Sequence, residues 1–213
     1  GIFPASTLQM WRTVGFDGFA GGRHWITNPL EWAPAVESWL EGVDLPFPDQ
    51  RWWCITRTPI GSMQLWGEVS GPALTVKSVL GAFWPNASVQ KDRKDPVIWE
   101  RSGCVSLLSS TKDSGVCDDV TGRSLVDVGF ERFGSLAADE VFALVPAYCL
   151  SGRMEASMLA VEPAVAHVAF LGQSTQPTMR PDMLATFGGE IADLLAAQGV
   201  VDPATGKPIT FNQ

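Results

Sequence analysis

The chain of 213 residues lacks the patterns that mark membrane spans and disulfide frameworks. No apolar run approaches the roughly 18 residues that a membrane-spanning helix needs, and no cationic stretch precedes an apolar one at the start. These absences argue against a membrane protein and against a secretion signal. The four cysteines form no CxxC pair and no regular spacing, which predicts small buried thiols and a cytoplasmic location.

Catalytic and metal-binding motifs are also missing. The chain has only two histidines, His24 and His167, so a hydrolytic nucleophile would have few bases to activate it. They form neither an HExxH nor an HxE pattern, and no GxSxG elbow or Walker A loop occurs. We therefore predict no catalytic residue, no cofactor and no metal. The alternative is a small detoxifying enzyme that uses His24 or His167 as its base.

Basic residues are scarce relative to acidic ones. The chain holds 15 lysines and arginines against 23 acids, a formal charge of −8. Such a surface repels a phosphate backbone, which argues against direct nucleic-acid binding. The acidity indicates either ordinary solubility or attraction to a basic protein partner. Hydrophobic residues make up 46% of the chain, which is typical of a globular protein that folds by itself.

Tryptophan and charge are distributed unevenly along the chain. All nine tryptophans lie between Trp11 and Trp99. Residues 1–100 hold 10 acids and 8 bases, a net −2, whereas residues 101–213 hold 13 and 7, a net −6. The polar, proline-bounded stretch 85–96 lies at this change and indicates a boundary. The predicted parts are a subdomain over residues 1–95, a second over 101–180, and a C-terminal helix and tail over 181–213.

Hydrophobic periodicity predicts an α+β fold in which each subdomain is a small, mainly antiparallel sheet with packed helices. The elements predicted for the first half are a helix from Pro4 to Gly15 with Leu8, Trp11 and Val14 on one face, a strand over 23–27, a helix begun by Asn28 and Pro29, a hairpin of 52–58 and 63–69, and a strand over 74–83. Those predicted for the second half are a helix over 118–133, a buried strand over 141–145 and a helix over 181–197. The apolar run 164–171 fits either a helix or a strand.

Aromatic and acidic residues are the candidates for a binding surface. Trp52 and Trp53 on one strand of the hairpin and Trp66 on the other point to opposite faces, because side chains alternate along strands. Exposed tryptophan favours protein interfaces, and the alternative is a place in the core. Asp118 and Asp119 either face a basic partner, bind a divalent ion or cap the helix that follows them. The predicted partner-binding residues are Trp52, Trp53, Trp66, Asp113, Asp118 and Asp119.

Two sets of short segments resemble a known family. Segments in the first half resemble the GAD-like domain: residues 8–11 (LQMW), 15–19 (GFDGF), 25–29 (WITNP), 39–40 (WL), 53–58 (WCITRT) and 64–68 (QLWGE). Segments in the second half resemble the companion C-terminal domain of type VI secretion immunity proteins: residues 130–136 (FERFGSL), 139–142 (DEVF), 145–147 (VPA) and 167–173 (HVAFLGQ).

The resemblance covers about residues 4–173 and brings no catalytic motif with it. It implies a cytoplasmic protein that binds and inhibits a cognate effector toxin, with a nuclease, and in particular a DNase, as the favoured toxin. Inhibition would cover the toxin's active site or its DNA-binding groove. A cytoplasmic adaptor with a non-toxin partner is the main alternative.

Overall fold

The structure, a computed structural model, describes residues 1–86, 95–108, 113, 115–182, 193–199, 201 and 206–207. The strands are β1 Gly18–Phe19, β2 His24–Ile26, β3 Trp52–Arg57, β4 Met63–Gly67, β5 Gly71–Lys77, β6 Ala82–Pro85, β7 Glu140–Leu144, β8 Leu159–Pro163 and β9 Thr178–Met179. The helices are α1 Ala5–Val14, α2 Ala33–Leu40, α3 Pro96–Leu108, α4 Leu125–Phe133, α5 Tyr148–Ser151 and α6 Ala164–Ser174.

The strands form one large and one small sheet. The main sheet has the order β1-β2-β3-β4-β5-β6-β9 and is antiparallel except for the parallel pair of β6 and β9. The small sheet is the antiparallel pair of β7 and β8. The predicted α+β fold with mainly antiparallel sheets is confirmed.

Helices cover both faces of the main sheet. On one face α2 and α6 pack over side chains that include Trp52 and Cys54. On the other face α1 and α3 pack over side chains that include Ile55 and Trp66. A strand buried on both faces needs apolar residues at successive positions, which explains the run WWCI at residues 52–55.

The small sheet is joined to the main sheet through a third apolar cluster. Phe142 of β7 packs in this cluster with Trp25 of β2 and Leu125 of α4. Its backbone amide donates to the carbonyl of Pro59, in the β3–β4 turn, at 2.8 Å. After β8 the chain enters α6, which packs on α2. The two sheets are therefore connected by shared cores as well as by the chain.

Several predicted elements are confirmed. β3 and β4 form the predicted hairpin, with Trp53 opposite Trp66. β2 and β7 match the strands predicted over residues 23–27 and 141–145. The open choice over residues 164–171 is resolved as a helix, α6.

The strand predicted over residues 74–83 is wrong in its extent. This region holds β5 and β6, which pair with each other across a turn that ends at Gly81. Gly81 has a φ of 59°, a left-handed conformation that glycine adopts without steric cost. The apolar residues on both sides of the turn made the two strands look like one.

Two predicted helices begin later than expected. The side chain of Asn28 accepts from the amide of Leu30 at 3.2 Å, so Asn28 and Pro29 belong to a turn and α2 begins at Ala33. The helix predicted from residue 118 begins at Leu125, and the Ser124 side chain caps it. Asx and Ser/Thr turns use the same residues as helix caps, and sequence alone does not separate them.

α1 has the predicted bounds but a different buried face. Trp11 packs in the core, whereas Leu8 and Val14 are exposed. Thr7 is buried instead, because α1 crosses α3 at Gly103, where an added Cβ would lie 2.4 Å from the Thr7 hydroxyl oxygen. Because the two helices are in close contact, α1 is rotated so that the side with Thr7, and not the predicted side with Leu8 and Val14, faces the core.

The predicted division of the chain stays a prediction. Most of the boundary stretch 85–96 and of the C-terminal helix 181–197 lies outside the described residues, although residues 193–197 are helical. Within the described ranges, α6 shares a core with α2 across the predicted boundary. Limited proteolysis tests the boundary, which predicts primary cleavage between residues 85 and 103.

The four cysteines have different environments, so the expectation that all are buried is wrong. Cys54 is fully buried and Cys149 is exposed, while Cys104 and Cys117 are intermediate; all four are free thiols. Burial raises the pKa of the Cys54 thiol to about 12. The thiolate is the reactive form of cysteine. Cys54 is therefore protected from thiol reagents both because it is buried and because its raised pKa keeps the thiol protonated.

We therefore expect a thiol reagent at about pH 8 to react first with Cys149 and with Cys54 only after unfolding. The reaction is followed by absorbance in native buffer and in denaturant, and mass spectrometry identifies the labelled peptide. A Cys149→Ser variant is the control and should lose the fast phase. Rapid labelling of Cys54 in native protein would contradict the buried position.

Candidate protein-binding groove

The three tryptophans predicted for partner binding lie in different environments. Trp66 is fully buried, so a partner cannot contact it in this conformation. Trp52 is buried against Phe47, with ring centroids 5.2 Å apart. Trp53 is half-buried, and the guanidinium of Arg51 lies 5.4 Å from its ring centroid. Trp52 lines a groove beside α2. Trp53 also borders that groove, but it lies opposite Trp66 in the hairpin and packs against the core that contains Trp66, so only Trp52 faces the other way from Trp66.

Asp113 lies inside the protein. Its side chain is 6% exposed and a carboxylate oxygen lies 3.9 Å from Nζ of Lys77. Burial raises the pKa of this carboxyl above its usual value, opposed by hydrogen bonds from Ser62 and Thr58 and by Lys77. A buried, paired carboxylate contributes little to long-range attraction of a partner.

Asp118 and Asp119 fasten a turn to a neighbouring segment. Asp118 is buried and accepts from the Thr121 hydroxyl and from the amide of Ala156, the latter at 2.8 Å. Asp119 is exposed and accepts from the amide of Met154. Neither caps α4, so the helix-cap interpretation is wrong. Of the three predicted acids, only Asp119 is on the surface.

The hydrogen bonds to Asp118 predict a pH dependence of stability. The Thr121 hydroxyl, followed by the Ala156 amide, lowers the pKa of this carboxyl in the folded state. A carboxyl with a lowered folded pKa stabilises the protein above its unfolded pKa of about 3.9, and this contribution is lost as pH falls through the folded value.

We expect Asp118→Asn to lower Tm at pH 7. The asparagine side chain has an NH₂ donor where the carboxylate has one of its two acceptor oxygens, so one of the two hydrogen bonds is lost. The difference from the parent should stay constant above about pH 5 and shrink below about pH 4. Thermal unfolding by circular dichroism between these values measures it. A Tm difference that does not change with pH would contradict the role of the carboxylate charge.

The two histidines occupy separate structural positions. His24 is buried, and its Nε2 donates to the carbonyl of Leu107 at 2.6 Å, which ties β2 to α3. His167 is half-buried on α6, and burial lowers its pKa while Glu162 opposes the shift. Neither lines the groove beside α2.

A groove of about 750 Å³ lies between α2 and residues 43–53 and is called the α2 groove below. α2 ends at Leu40, and Gly42 with a φ of 70° turns the chain back. The returning segment contains Pro46 and Pro48, which favour extended backbone in the residues before them. The floor is apolar; its side chains include those of Val36, Leu40, Val43, Leu45 and Phe47.

The outer wall of the α2 groove is held in place by Gln50. Its amide nitrogen donates to the Ser70 hydroxyl at 2.7 Å, and its oxygen accepts from the amides of Val69 and Ser70. An added Cβ at Gly67 would lie 2.5 Å from that oxygen, so the absence of a side chain there admits the Gln50 amide. The wall is thereby fixed to the β4–β5 turn.

Acidic side chains surround the apolar floor. Glu37, Asp44 and Asp49 line the α2 groove, and Glu41 follows at the end of α2. All four are exposed. Within the described part of the chain, none forms an ion pair or a side-chain hydrogen bond. Arg51 is the single base among the lining residues.

Sequence reasoning missed these acids, although the sequence contains a signal for them. Between Arg23 and Arg51 the chain has five carboxylates and no lysine or arginine. Summing charge over each half hid this segment, because eight bases elsewhere bring residues 1–100 to −2. A count over a shorter window would have marked the segment as acidic.

A second concave surface is apolar and carries little charge. It has a volume of about 460 Å³ and lies between α6 and the segment after β7. Val145, Leu150 and Phe170 are exposed there, at 51%, 64% and 42%. It is the rival of the α2 groove as a docking surface.

The comparisons with known proteins concern the first part of the chain and the fold. Residues 1–80 match the family model of the GAD-like domain. No curated protein matches the chain. The crystal structure of Atu4351 from Agrobacterium tumefaciens superposes with a TM-score of 0.71 at 16% identity, over 84% of this chain and 79% of that one. This likeness shows a shared fold.

The matched residues 1–80 contain α1, α2 and β1 to β5, and so include every residue that lines the α2 groove. The GAD-like match fits a protein-interaction role. Among the described residues, no helix is long and apolar enough to span a bilayer.

Proposed function

We propose that this protein is an immunity protein that binds a cognate effector toxin of a type VI secretion system in the cytoplasm. The favoured toxin is a DNase, and the protein inhibits it by covering its active site or DNA-binding groove, without turnover. The observation that carries the proposal is the match of residues 1–80 to the GAD-like domain, a family associated with immunity proteins and not with catalysis. The segments over residues 130–173 that resemble the companion immunity domain support it.

Inhibition by binding sets a requirement on affinity. A nuclease damages a cell at few copies, so the complex needs a nanomolar or lower Kd, about −12 kcal/mol, over an interface of roughly 1,600 Å². The formal charge of −8 supports such a partner, because a DNA-binding groove is basic. Opposite charges would speed encounter and occupy the sites that otherwise bind phosphates.

The test uses a candidate effector taken from the genes that adjoin the gene for this protein. We expect its nuclease activity to fall in proportion to the amount of protein added and to vanish at a one-to-one ratio. A His167→Gln variant should still form a one-to-one complex and inhibit, because inhibition by binding needs no catalytic base.

Two other results would contradict the proposal. If one molecule of protein inactivates many toxin molecules, and His167→Gln abolishes this turnover while the complex still forms, the protein is a detoxifying enzyme. If the effector and the protein form no complex, the protein is an adaptor for another partner. Isothermal titration calorimetry, together with the activity titration, distinguishes these results.

A further inference from the structure

Carboxylates in much of the described structure have internal roles. Glu100 caps the start of α1 by accepting from the amides of Ala5 and Ser6, at 3.0 and 2.8 Å. Asp127 forms an ion pair with Arg23 at 2.6 Å. Glu131 pairs with Arg123, and Glu155 with Arg153, while Asp118 and Asp119 hold their turn.

The acids around the α2 groove have no such role. Glu37, Glu41, Asp44 and Asp49 are exposed and without a basic partner among the described residues. Four acids beside a single lining base, Arg51, repel one another and cost stability. A cationic partner removes this repulsion when it binds, and it is also attracted at a distance.

The lining carboxylates come from both walls of the α2 groove: Glu37 from α2, and Asp44 and Asp49 from the returning segment. Among the described residues, no group of three acidic, histidine or cysteine side chains could hold a metal ion. Charges distributed along a groove match several basic side chains on an extended or helical segment better than a single small cation. This favours a macromolecular occupant.

The apolar floor adds a second requirement. Leu40, Val43, Leu45 and Phe47 are only partly buried against the core below them. An occupant that supplied only charge would leave their surface in contact with water. Protein interfaces combine an apolar centre with a polar rim, and the centre supplies most of the binding energy. The groove has this arrangement, with the acids as its rim.

The groove is preformed. Gln50 fixes its outer wall to the β4–β5 turn, and Phe47 packs edge-on against Trp52. The inner wall is α2, whose Trp39 is buried and donates from Nε1 to the carbonyl of Val168 at 2.9 Å. A rigid site loses little conformational entropy on binding.

We propose that the α2 groove is the docking surface for a lysine- or arginine-rich segment of a protein partner, which places one aliphatic or aromatic side chain on the groove floor. The inference rests on the proposed function in that it takes the partner to be the effector toxin. If the toxin is a DNase, the basic segment belongs to its DNA-binding surface. Docking in the α2 groove then excludes DNA from that surface.

The first test compares two matched double variants against an active-site-inactivated form of the neighbouring effector. Glu37→Lys with Asp44→Lys reverses charge at the groove. Asp127→Lys with Glu131→Lys reverses the same amount of charge on α4, where it also breaks the ion pairs with Arg23 and Arg123, so the Tm of this variant is measured beside its association rate. Surface-immobilised effector and biolayer interferometry give association rates at about 25 mM and 150 mM salt.

We expect the groove variant to associate about tenfold or more slowly than the parent at low salt, with a smaller difference at higher salt. The α4 variant should stay within about twofold of the parent. Glu37→Gln with Asp44→Asn should give an intermediate rate, which shows that charge and not misfolding causes the loss. Circular dichroism should give the same Tm for the neutralised variant and the parent.

The second test needs no knowledge of the partner. A random library of twelve-residue peptides displayed on phage is selected on the parent protein. We expect enriched peptides to carry lysine or arginine around one apolar residue and to lose binding to the groove variant but not to the α4 variant. Amide shifts of ¹⁵N-labelled protein with an enriched peptide should concentrate at α2 and residues 43–53.

The outcomes separate this inference from the proposed function. If the effector binds and the groove variant keeps its rate, the inference is wrong while the proposed function stands. Loss of binding in Leu150→Ser would then place the interface at the second concave surface, between α5 and α6. If the effector does not bind but basic peptides map to the groove, the proposed function fails and the docking chemistry holds. Enrichment of neutral or acidic peptides, or no enrichment, overturns the inference.

Discussion

Replacement of Arg57 by alanine is expected to lower the free energy of unfolding by about 3 to 5 kcal/mol. The side chain is 1% exposed and its guanidinium lies 4.4 Å from the ring centroid of Trp25 and 5.7 Å from that of Trp32. One guanidinium nitrogen donates to the carbonyl of Ala138 at 2.9 Å. Alanine would leave a cavity between two tryptophans and an unpaired carbonyl.

Arg57 stays charged at neutral pH even though it is buried. Burial lowers its pKa to about 10, and the nearby Cys54 and Asp139 oppose the shift. The aromatic faces on both sides favour the cation, since a desolvated cation–π contact is worth about 2 kcal/mol. The charge therefore depends on Trp25 and Trp32 to remain inside the protein.

Urea unfolding followed by tryptophan fluorescence measures the loss in Arg57→Ala. Arg57→Met serves as the control, because it keeps most of the volume and loses only the hydrogen bond and the charge. We expect it to cost less than alanine, about 1 to 3 kcal/mol. If the free energy of unfolding of Arg57→Ala lies within about 1 kcal/mol of that of the parent, Arg57 does not link β3 to the segment before β7.

Replacement of Gly172 by valine is expected to destabilise the protein by about 3 kcal/mol. Gly172 lies on α6 where it crosses α2, and an added Cβ would be 2.9 Å from the carbonyl carbon and oxygen of Ser38 and the amide nitrogen of Trp39. These are backbone atoms and cannot rotate away. The helices would have to separate, which would also stretch the hydrogen bond from Trp39 to Val168.

The neighbouring exposed residue provides a control for helix propensity. Gln173→Val places the same side chain one position further along α6, where it faces solvent. It should cost less than about 1 kcal/mol. Thermal and urea unfolding compare the two variants with the parent. Equal losses in both would mean that propensity, and not the helix crossing, sets the cost at Gly172.

Elements with a strong local signal were predicted correctly from the sequence. The hairpin of β3 and β4 is predicted by β-rich runs on both sides of a Pro-Ile-Gly-Ser turn, and α4 ends at Phe133, the last residue of the predicted helix. The predicted starts of helices were wrong where the same residue type can either cap a helix or stabilise a turn. Asn28 begins a turn and not α2, and Asp118 accepts hydrogen bonds far from the start of α4.

The candidate site was predicted less well than the fold. Trp52 does line the α2 groove, whereas Trp66 is in the core and Trp53 is partly buried against it, because α1 and α3 cover that face of the sheet. Asp113 and Asp118 are buried by contacts distant in sequence. The carboxylates that surround the α2 groove lie in residues 1–100, whose net charge of −2 did not indicate an acidic surface.

The sequence alone determined the class of fold, the ends of several elements and the acidic character of the chain, because periodicity, turn residues and charge are local properties. Only the tertiary structure decided which side chains are accessible. Burial depends on which elements meet, and these contacts join residues far apart in the chain, as at Gly172 with Ser38 and Arg57 with Ala138. Tertiary contacts also place Glu37 and Asp44 at the surface on either side of an apolar floor, with no ion-pair partner in the part of the chain that the structure describes.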